Sequence, residues 1–312
     1  MPLSKQLLDV IACPACLGEL IRTNETSFAC PKCHRSYPIV GDIPLLFDRD
    51  RLSEYVGPET SMYYDMIKSE LADNTPSQSQ WRLSKTRFLQ ILLSQTGCLN
   101  GKRVLNVGCG RDTYFPSMKK AGAIYYQTDI VQPMLHELRT RGSENVVAGS
   151  IDALPFRPET FDVVFCIDVV HHFTDRGLEA PLDEMVRVLK PNGRLLIEEP
   201  NKYGLLRLWY CFFPRGLLVR LRALKHKRTG QGPAEYEAPL AYSKVKRYLE
   251  RSGIMNTSRF SSRAYPGKSK HLLHMVDFLW KVSWGIERYL SYHWIICGTK
   301  GARESAGLST RS

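Results

Sequence analysis

The chain has 312 residues, 43% of them hydrophobic and 24% charged. That balance excludes wholesale disorder, a collagen-like chain and a disulfide-held miniprotein, and at roughly 150 residues per domain the length suits one large domain with an accessory piece. With 43 Lys+Arg against 31 Asp+Glu the net charge is +12, an excess that suits an anionic partner, either nucleic acid or a membrane surface.

The N-terminal stretch MPLSKQLLDVIACP has Asp9 inside its short apolar run and no small-residue cleavage site, and no window offers eighteen uninterrupted apolar residues. Neither a signal peptide nor a membrane span is expected. Of nine cysteines, Cys98, Cys109, Cys166, Cys211 and Cys297 are scattered and odd in number, which speaks for reduced thiols and a cytoplasmic address, peripheral to the membrane if the basic surface binds lipid. The other four form Cys13-Pro-Ala-Cys16 and Cys30-Pro-Lys-Cys33, with thirteen residues between the pairs. Each pair places two thiolates on one knuckle, and four sulfurs suit tetrahedral Zn²⁺ with no position left for water, hence a structural metal in a module too small for its own core. A redox pair or four buried thiols are the alternatives, and His34 reads as a bystander. Residues 1–47, through LLDVIACPACLGEL and ACPKCHRSYPIVGDIPLLF, resemble the small zinc-ribbon proteins that bind and activate tRNA and release-factor methyltransferases in trans. The resemblance implies a fused stabilising or substrate-orienting module. Cys30→Ser is expected to unfold it and to leave the rest folded.

Residues 48–80, with Gly57, Pro58 and Pro76, read as a connector holding one short helix near 62–71. Trp81 to Leu93 fits a helix with one apolar side, stopped at Gly97. Short apolar runs then follow at 103–107, 123–128, 145–148, 161–167 and 194–197, separated by helical stretches at 115–121, 131–141 and 178–190, the last closed by Pro191, Asn192 and Gly193. Alternation of this kind predicts an α/β domain with a doubly wound, mostly parallel sheet covered on both faces.

The first run ends in Asn-Val-Gly-Cys-Gly, where Gly108 and Gly110 let a ligand approach the backbone; Thr113 stands where a dinucleotide fingerprint wants its third glycine. The second run ends at Asp129, a carboxylate placed to accept both hydroxyls of a ribose and to repel a 2′-phosphate. With the segments GSIDALPF (149–156), FDVVFCID (161–168), VHHF (170–173) and EMVRVLKPNG (184–193), residues 100–200 resemble class I S-adenosylmethionine-dependent methyltransferases of the small-molecule-like branch. The resemblance implies a Rossmann-like, seven-stranded sheet over a methyltransferase domain at 81–300. It implies that Gly108 and Gly110 pass the methionine end, Asp129 holds the ribose, Ile130 packs on adenine, Ile151 and Asp152 lie at the adenine edge, and Asp168 lies near the mouth. Asn106 stands where the family usually has an acid facing the methionine ammonium, and Ser150 where it has one facing the adenine amino group.

Alignment of acceptor, methyl and sulfur is the main task of such a protein, so a base is optional. For an acceptor that loses a proton, His171 or His172 is the candidate catalytic base, the alternative being that one packs under the site loop. Glu199 either faces substrate or caps its turn. An insertion at 201–240 is expected to form the acceptor lid, before a helix at 242–252. Within it, residues 201–230 hold Lys202, Arg207, Arg215, Arg220, Arg222, Lys225, Lys227 and Arg228 and no acid. Leu205, Leu208, Trp209, Phe212 and Phe213 interleave with these, as in an interfacial helix or as in a lid helix with a solvated basic face. The run 292–298 is expected as an antiparallel edge strand after a helix at 271–290 whose Trp280 and Trp284 belong to the core, and 301–312 as a loose polar tail. Three functions fit: methyl transfer to a small or lipid-linked acceptor near a membrane surface, RNA methylation, or a non-catalytic scaffold that kept the fold.

Overall fold

The computed structural model describes residues 3–48, 78–173, 177–202, 240–262, 291 and 293–302. One helical turn, α1 (Lys5–Leu8), precedes a four-stranded antiparallel sheet of β1 (Ile21–Asn24), β2 (Ser27–Ala29), β3 (Ser36–Val40) and β4 (Ile43–Pro44), paired in chain order. Phe28 and Tyr37 are buried in it, but β1 is exposed along its whole length. Strands this short cannot bury enough apolar surface alone.

The larger sheet is built from β5 (Arg103–Val107), β6 (Ile124–Asp129), β7 (Asn145–Ala148), β8 (Phe161–Ile167), β9 (Leu189–Pro200), β10 (Ile254–Ser262) and β11 (His293–Lys300), in the spatial order β10-β11-β9-β8-β5-β6-β7. The pairs from β9 to β7 are parallel, whereas β11 is antiparallel to both β9 and β10. Helices α2 (Gln78–Thr96), α3 (Phe115–Lys120), α4 (Gln132–Thr140), α5 (Glu179–Val188) and α6 (Tyr242–Arg251) accompany it. Alternate residues of the central strands feed two cores: Val104, Val163 and Phe165 pack with Phe88 and Leu92, while Leu105, Val107 and Val164 pack with Met185 and Ile197. Burial on both faces is why these strands read as continuous apolar runs.

Two elements depart from the sequence reading. Helix α5 stops at Val188, and Pro-Asn-Gly is no helix stop but a bulge inside β9: Leu189 pairs with Phe161 and Arg194 with Val163, with Asn192 at φ 63° and Lys190 Nζ 2.8 Å from Asp162 Oδ1. The run at 292–298 is not an edge strand, because β11 lies inside the sheet and the largely polar β10 takes the edge. The expected helices near 62–71 and 271–290, the basic and apolar residues between 203 and 239, and the tail beyond 302 lie outside the described residues. Both ends of the insertion are seen: Asn201 and Leu240 form a parallel bridge, and Trp294 Nε1 donates to the Leu240 carbonyl at 3.1 Å. The insertion therefore leaves and re-enters at the carboxyl end of β9. Among the described residues no helix is long and apolar enough to cross a membrane.

The small sheet is fastened to the otherwise open edge at β7. Leu46 N–H donates to the Ala148 carbonyl at 2.8 Å, Ala12 N–H to Pro155 at 3.0 Å, and Arg157 N–H to Val10 at 2.9 Å. Leu7, Val10, Ile11 and Leu46 join Val147, Ile151, Leu154 and Phe156 in one continuous core. The N-terminal module thus covers the edge and backs the loop that carries Ile151 and Asp152.

Candidate cofactor site and metal centre

The four predicted metal ligands, Cys13, Cys16, Cys30 and Cys33, converge with all Sγ atoms within 4.8 Å of one another. Cys13 and Cys33 Sγ are 3.6 Å apart and Cys16 and Cys30 Sγ 3.4 Å apart. Tetrahedral zinc at its usual Zn–S length spaces its sulfurs by about 3.8 Å, so the cluster fits a structural Zn²⁺. Two supports of the cluster carry no signal in the sequence. Tyr37 Oη lies 3.1 Å from Cys13 Sγ, and Gly18 leaves room for the knuckle, since a Cβ there would stand 3.1 Å from Cys30 Sγ and 3.2 Å from Cys16 Sγ.

At the carboxyl end of β5, Gly108 (φ 65°) and Gly110 (φ 50°) both take left-handed backbone that favours glycine. A Cβ on Gly108 would stand 2.4 Å from Val169 Cγ2, so this glycine also lets the loop after β8 close against the turn. Asp129, at the end of β6, is half-buried; its Oδ2 accepts from Gly110 N–H at 2.7 Å and its Oδ1 from Val131 N–H at 2.9 Å. Desolvation raises its pKa and these backbone donors oppose the rise. Each carboxylate oxygen has a second lone pair, so the group can still receive a diol. Ile130 is half-buried beside it and Ile151 is buried on the neighbouring loop, where Ser150 Oγ donates to the Asp152 carboxylate. Gly108, Gly110, Asp129, Ile130, Ile151 and Asp152 thus share one end of adjacent parallel strands.

Asn106 is buried and does not stand alone. Its side chain faces the Asp112 carboxylate and the Tyr125 hydroxyl and lowers the pKa of both against the rise from desolvation. Asp112 is itself buried and accepts from Tyr114 N–H at 2.8 Å, Tyr125 Oη at 2.7 Å and Gln127 Nε2. Desolvation raises the Asp112 pKa against those donors. No sequence pattern marks this acid, because its side-chain donors come from the next strand.

Beyond β8, Asp168 stands in left-handed backbone (φ 57°), and Val170–Phe173 form a 3₁₀ turn. Glu199, fully buried, fastens that turn: Oε1 accepts from Val169 N–H at 3.0 Å and Val170 N–H at 2.7 Å, and Oε2 lies 2.7 Å from His171 Nδ1. His171 is buried, whereas His172 is exposed with its ring centroid 4.1 Å from that of His171. Desolvation, and next the neighbouring His171, push the His172 pKa down to about 4, so its imidazole is neutral at physiological pH. Of Glu199's two earlier readings, the geometry is that of a turn anchor. Another support the sequence reading missed is the Glu184–Arg187 pair of α5. Glu184 Oε2 accepts from Leu154 N–H at 2.7 Å, and Arg187 donates to the Phe156 and Leu154 carbonyls at 2.7 and 2.9 Å, pinning the loop beyond Asp152.

The mostly parallel seven-stranded sheet has the α/β fold of S-adenosylmethionine-dependent methyltransferases, and the four-cysteine cluster beside it is that of a zinc ribbon. Comparison with known proteins is specific for both parts. Residues 105–197 match the methyltransferase domain family, and residues 4–42 match the Trm112p-like protein family. The probable tRNA methyltransferase 9B of Mus musculus is 35% identical over 141 residues, 42% of this chain and 30% of that protein. The mitochondrial ubiquinone biosynthesis O-methyltransferase of Schizosaccharomyces pombe is 30% identical over 133 residues, 39% of this chain and 46% of that protein. The chain thus spans less than half the length of these curated relatives. Magnesium protoporphyrin IX methyltransferase from Synechocystis PCC 6803, solved with S-adenosylhomocysteine bound, covers 81% of this chain and 100% of its own at a TM-score of 0.50 and 19% identity, a likeness of fold.

Proposed function

We propose that the protein methylates an oxygen of a small or lipid-linked acceptor, one that gives up a proton as the methyl arrives. When bound, S-adenosylmethionine supplies a methyl already activated on a sulfonium sulfur. Asp129 would hold the ribose, Ile130 and Ile151 the adenine, with Asp152 at its edge, and Gly108 and Gly110 would admit the methionine end. The observation that carries the proton-losing acceptor is the neutral His172 imidazole, tilted at 41° against a His171 that Glu199 anchors at the strand end. His172 would take the acceptor proton, with His171 and Glu199 as its support. The S. pombe relative, by name an O-methyltransferase, agrees with that chemistry.

RNA is the second reading, favoured by the relative named as a tRNA methyltransferase, by the Trm112p-like module and by the +12 charge. The basic residues of 201–230 could equally bring the chain to an anionic membrane surface. The deciding experiment supplies labelled S-adenosylmethionine to the full chain with soluble phenols, with a lipid-linked phenol in vesicles, and with total RNA. Label on phenolic oxygen supports the first reading, and label on RNA alone replaces it with the second. Absence of any cofactor binding at millimolar concentration would leave a scaffold.

A further inference from the structure

We infer that His293 is a positioning residue for the cofactor, holding the Asp168 carboxylate against the ammonium of the methionine end; this rests on reading the crevice as an S-adenosylmethionine site. A cationic amino group in a partly desolvated cleft calls for an anion. Asn106 brings no charge and faces Asp112 and Tyr125, while Asp112 is buried among its own donors. Asp129 lies on the β6 flank of the glycine turn, at the place assigned to the ribose. The order β8-β5-β6 sets Asp168 on the opposite flank. Its neighbour Val169 packs so closely on Gly108 that a Cβ there would collide, which brings Asp168 to the side of the turn.

The Asp168 side chain is 25% exposed, and Oδ1 is 2.9 Å from His293 Nε2 on an imidazole only 2% exposed. Left-handed backbone at a non-glycine residue is sparsely populated and persists where its surroundings hold it. Here Asp168 N–H donates to the Glu198 carbonyl at 2.9 Å, and His293, the first residue of β11, sets its ring nitrogen in ion-pair contact with the carboxylate. A buried ring of fixed direction keeps the carboxylate aimed before the cofactor arrives.

S-adenosylhomocysteine and 5′-methylthioadenosine, which share the nucleoside but differ in the amino-acid end, distinguish this role from a structural one. Calorimetric titration of the full chain should show His293→Leu weakening S-adenosylhomocysteine about tenfold, the scale of one charge-assisted contact, with methylthioadenosine unchanged. His293→Gln, which keeps a donor, should recover most of the loss, and His293→Leu should add nothing in an Asp168→Asn background. Equal losses for both ligands, or no loss for either, overturn the inference. A wild-type chain that binds neither nucleoside overturns the cofactor reading itself and this inference with it. Equal melting temperatures of the variants confirm that the comparison is between folded proteins.

Discussion

A carboxylate already bonded to two backbone N–H groups reaches its ligand with little orientational freedom left to lose, which is how Asp129 can be selective while half-exposed. Asp129→Ala should weaken S-adenosylhomocysteine by well over tenfold, in line with about 1.5–3 kcal/mol for hydrogen bonds to a charged group; an unaltered calorimetric affinity would remove the ribose assignment. His172 makes a second test. With its pKa near 4, below the ordinary 6.5, the imidazole stays neutral across the pH range where a free histidine protonates. The acid limb of kcat/KM should therefore fall through about pH 4 and not 6.5, and His172→Phe should cost about 100-fold in kcat, the lower end for general-base catalysis because the base is weak. The sign for folding agrees: between pH 4 and 6.5 the unfolded chain binds more protons at this residue, so its contribution to stability is lost as pH falls through that window. Asp129 and the four cysteines were legible because a strand end or a short spacing announces them. Asp112 and His293 were not, since each acquires its role from a partner distant in the chain, and His293 meets Asp168 across 125 positions; Glu199 was visible as a candidate, but its partners at 169–171 were not.

Elements were legible in proportion to their burial. Strands β5 to β8 are largely apolar and buried on both faces and declare themselves, whereas β10, with Asn256, Thr257, Ser258 and Arg259, carries little apolar signal because it sits at the edge. The bulge in β9 hid behind a Pro-Asn-Gly that reads as a helix stop. The way the ribbon meets β7 was also out of reach, although the apolar run ending at Phe47 supplied the residues. That contact alters what loss of metal should do. An uncovered strand edge invites association, and the ribbon shares its core with Val147 and Phe156. Cys30→Ser should therefore release metal and also lower the melting temperature of the larger α/β unit, where the sequence suggested only that the rest would stay folded. Two independent calorimetric transitions, the second unmoved, would return the ribbon to an appendage. Leu46→Ala removes a fully buried side chain at the junction and should cost about 2–5 kcal/mol in urea unfolding.

At the scale of the whole molecule, charge distribution is the property that separates the acceptors. Eight of the Lys and Arg fall within residues 201–230 without an acid, in an insertion whose two ends meet at Asn201 and Leu240, at the carboxyl end of β9 where the parallel strands also present the candidate site. If all eight met RNA phosphates, counterion release at about 0.7 per contact for a single strand would reduce affinity by roughly two-thousandfold between 50 and 200 mM salt. An anionic vesicle would also lose affinity with salt, but through a surface potential rather than a fixed stoichiometry, and the apolar residues between the charges would keep a salt-resistant fraction bound. A small uncharged phenol would show almost no salt dependence. Measuring KM for each acceptor at both salt concentrations therefore reads which partner the basic insertion serves. A flat profile for the phenol, with RNA binding that collapses and yields no methylated product, is the outcome expected of an O-methyltransferase for small or lipid-linked acceptors. Methylation of RNA whose KM climbs steeply with salt would instead assign the insertion to nucleic acid.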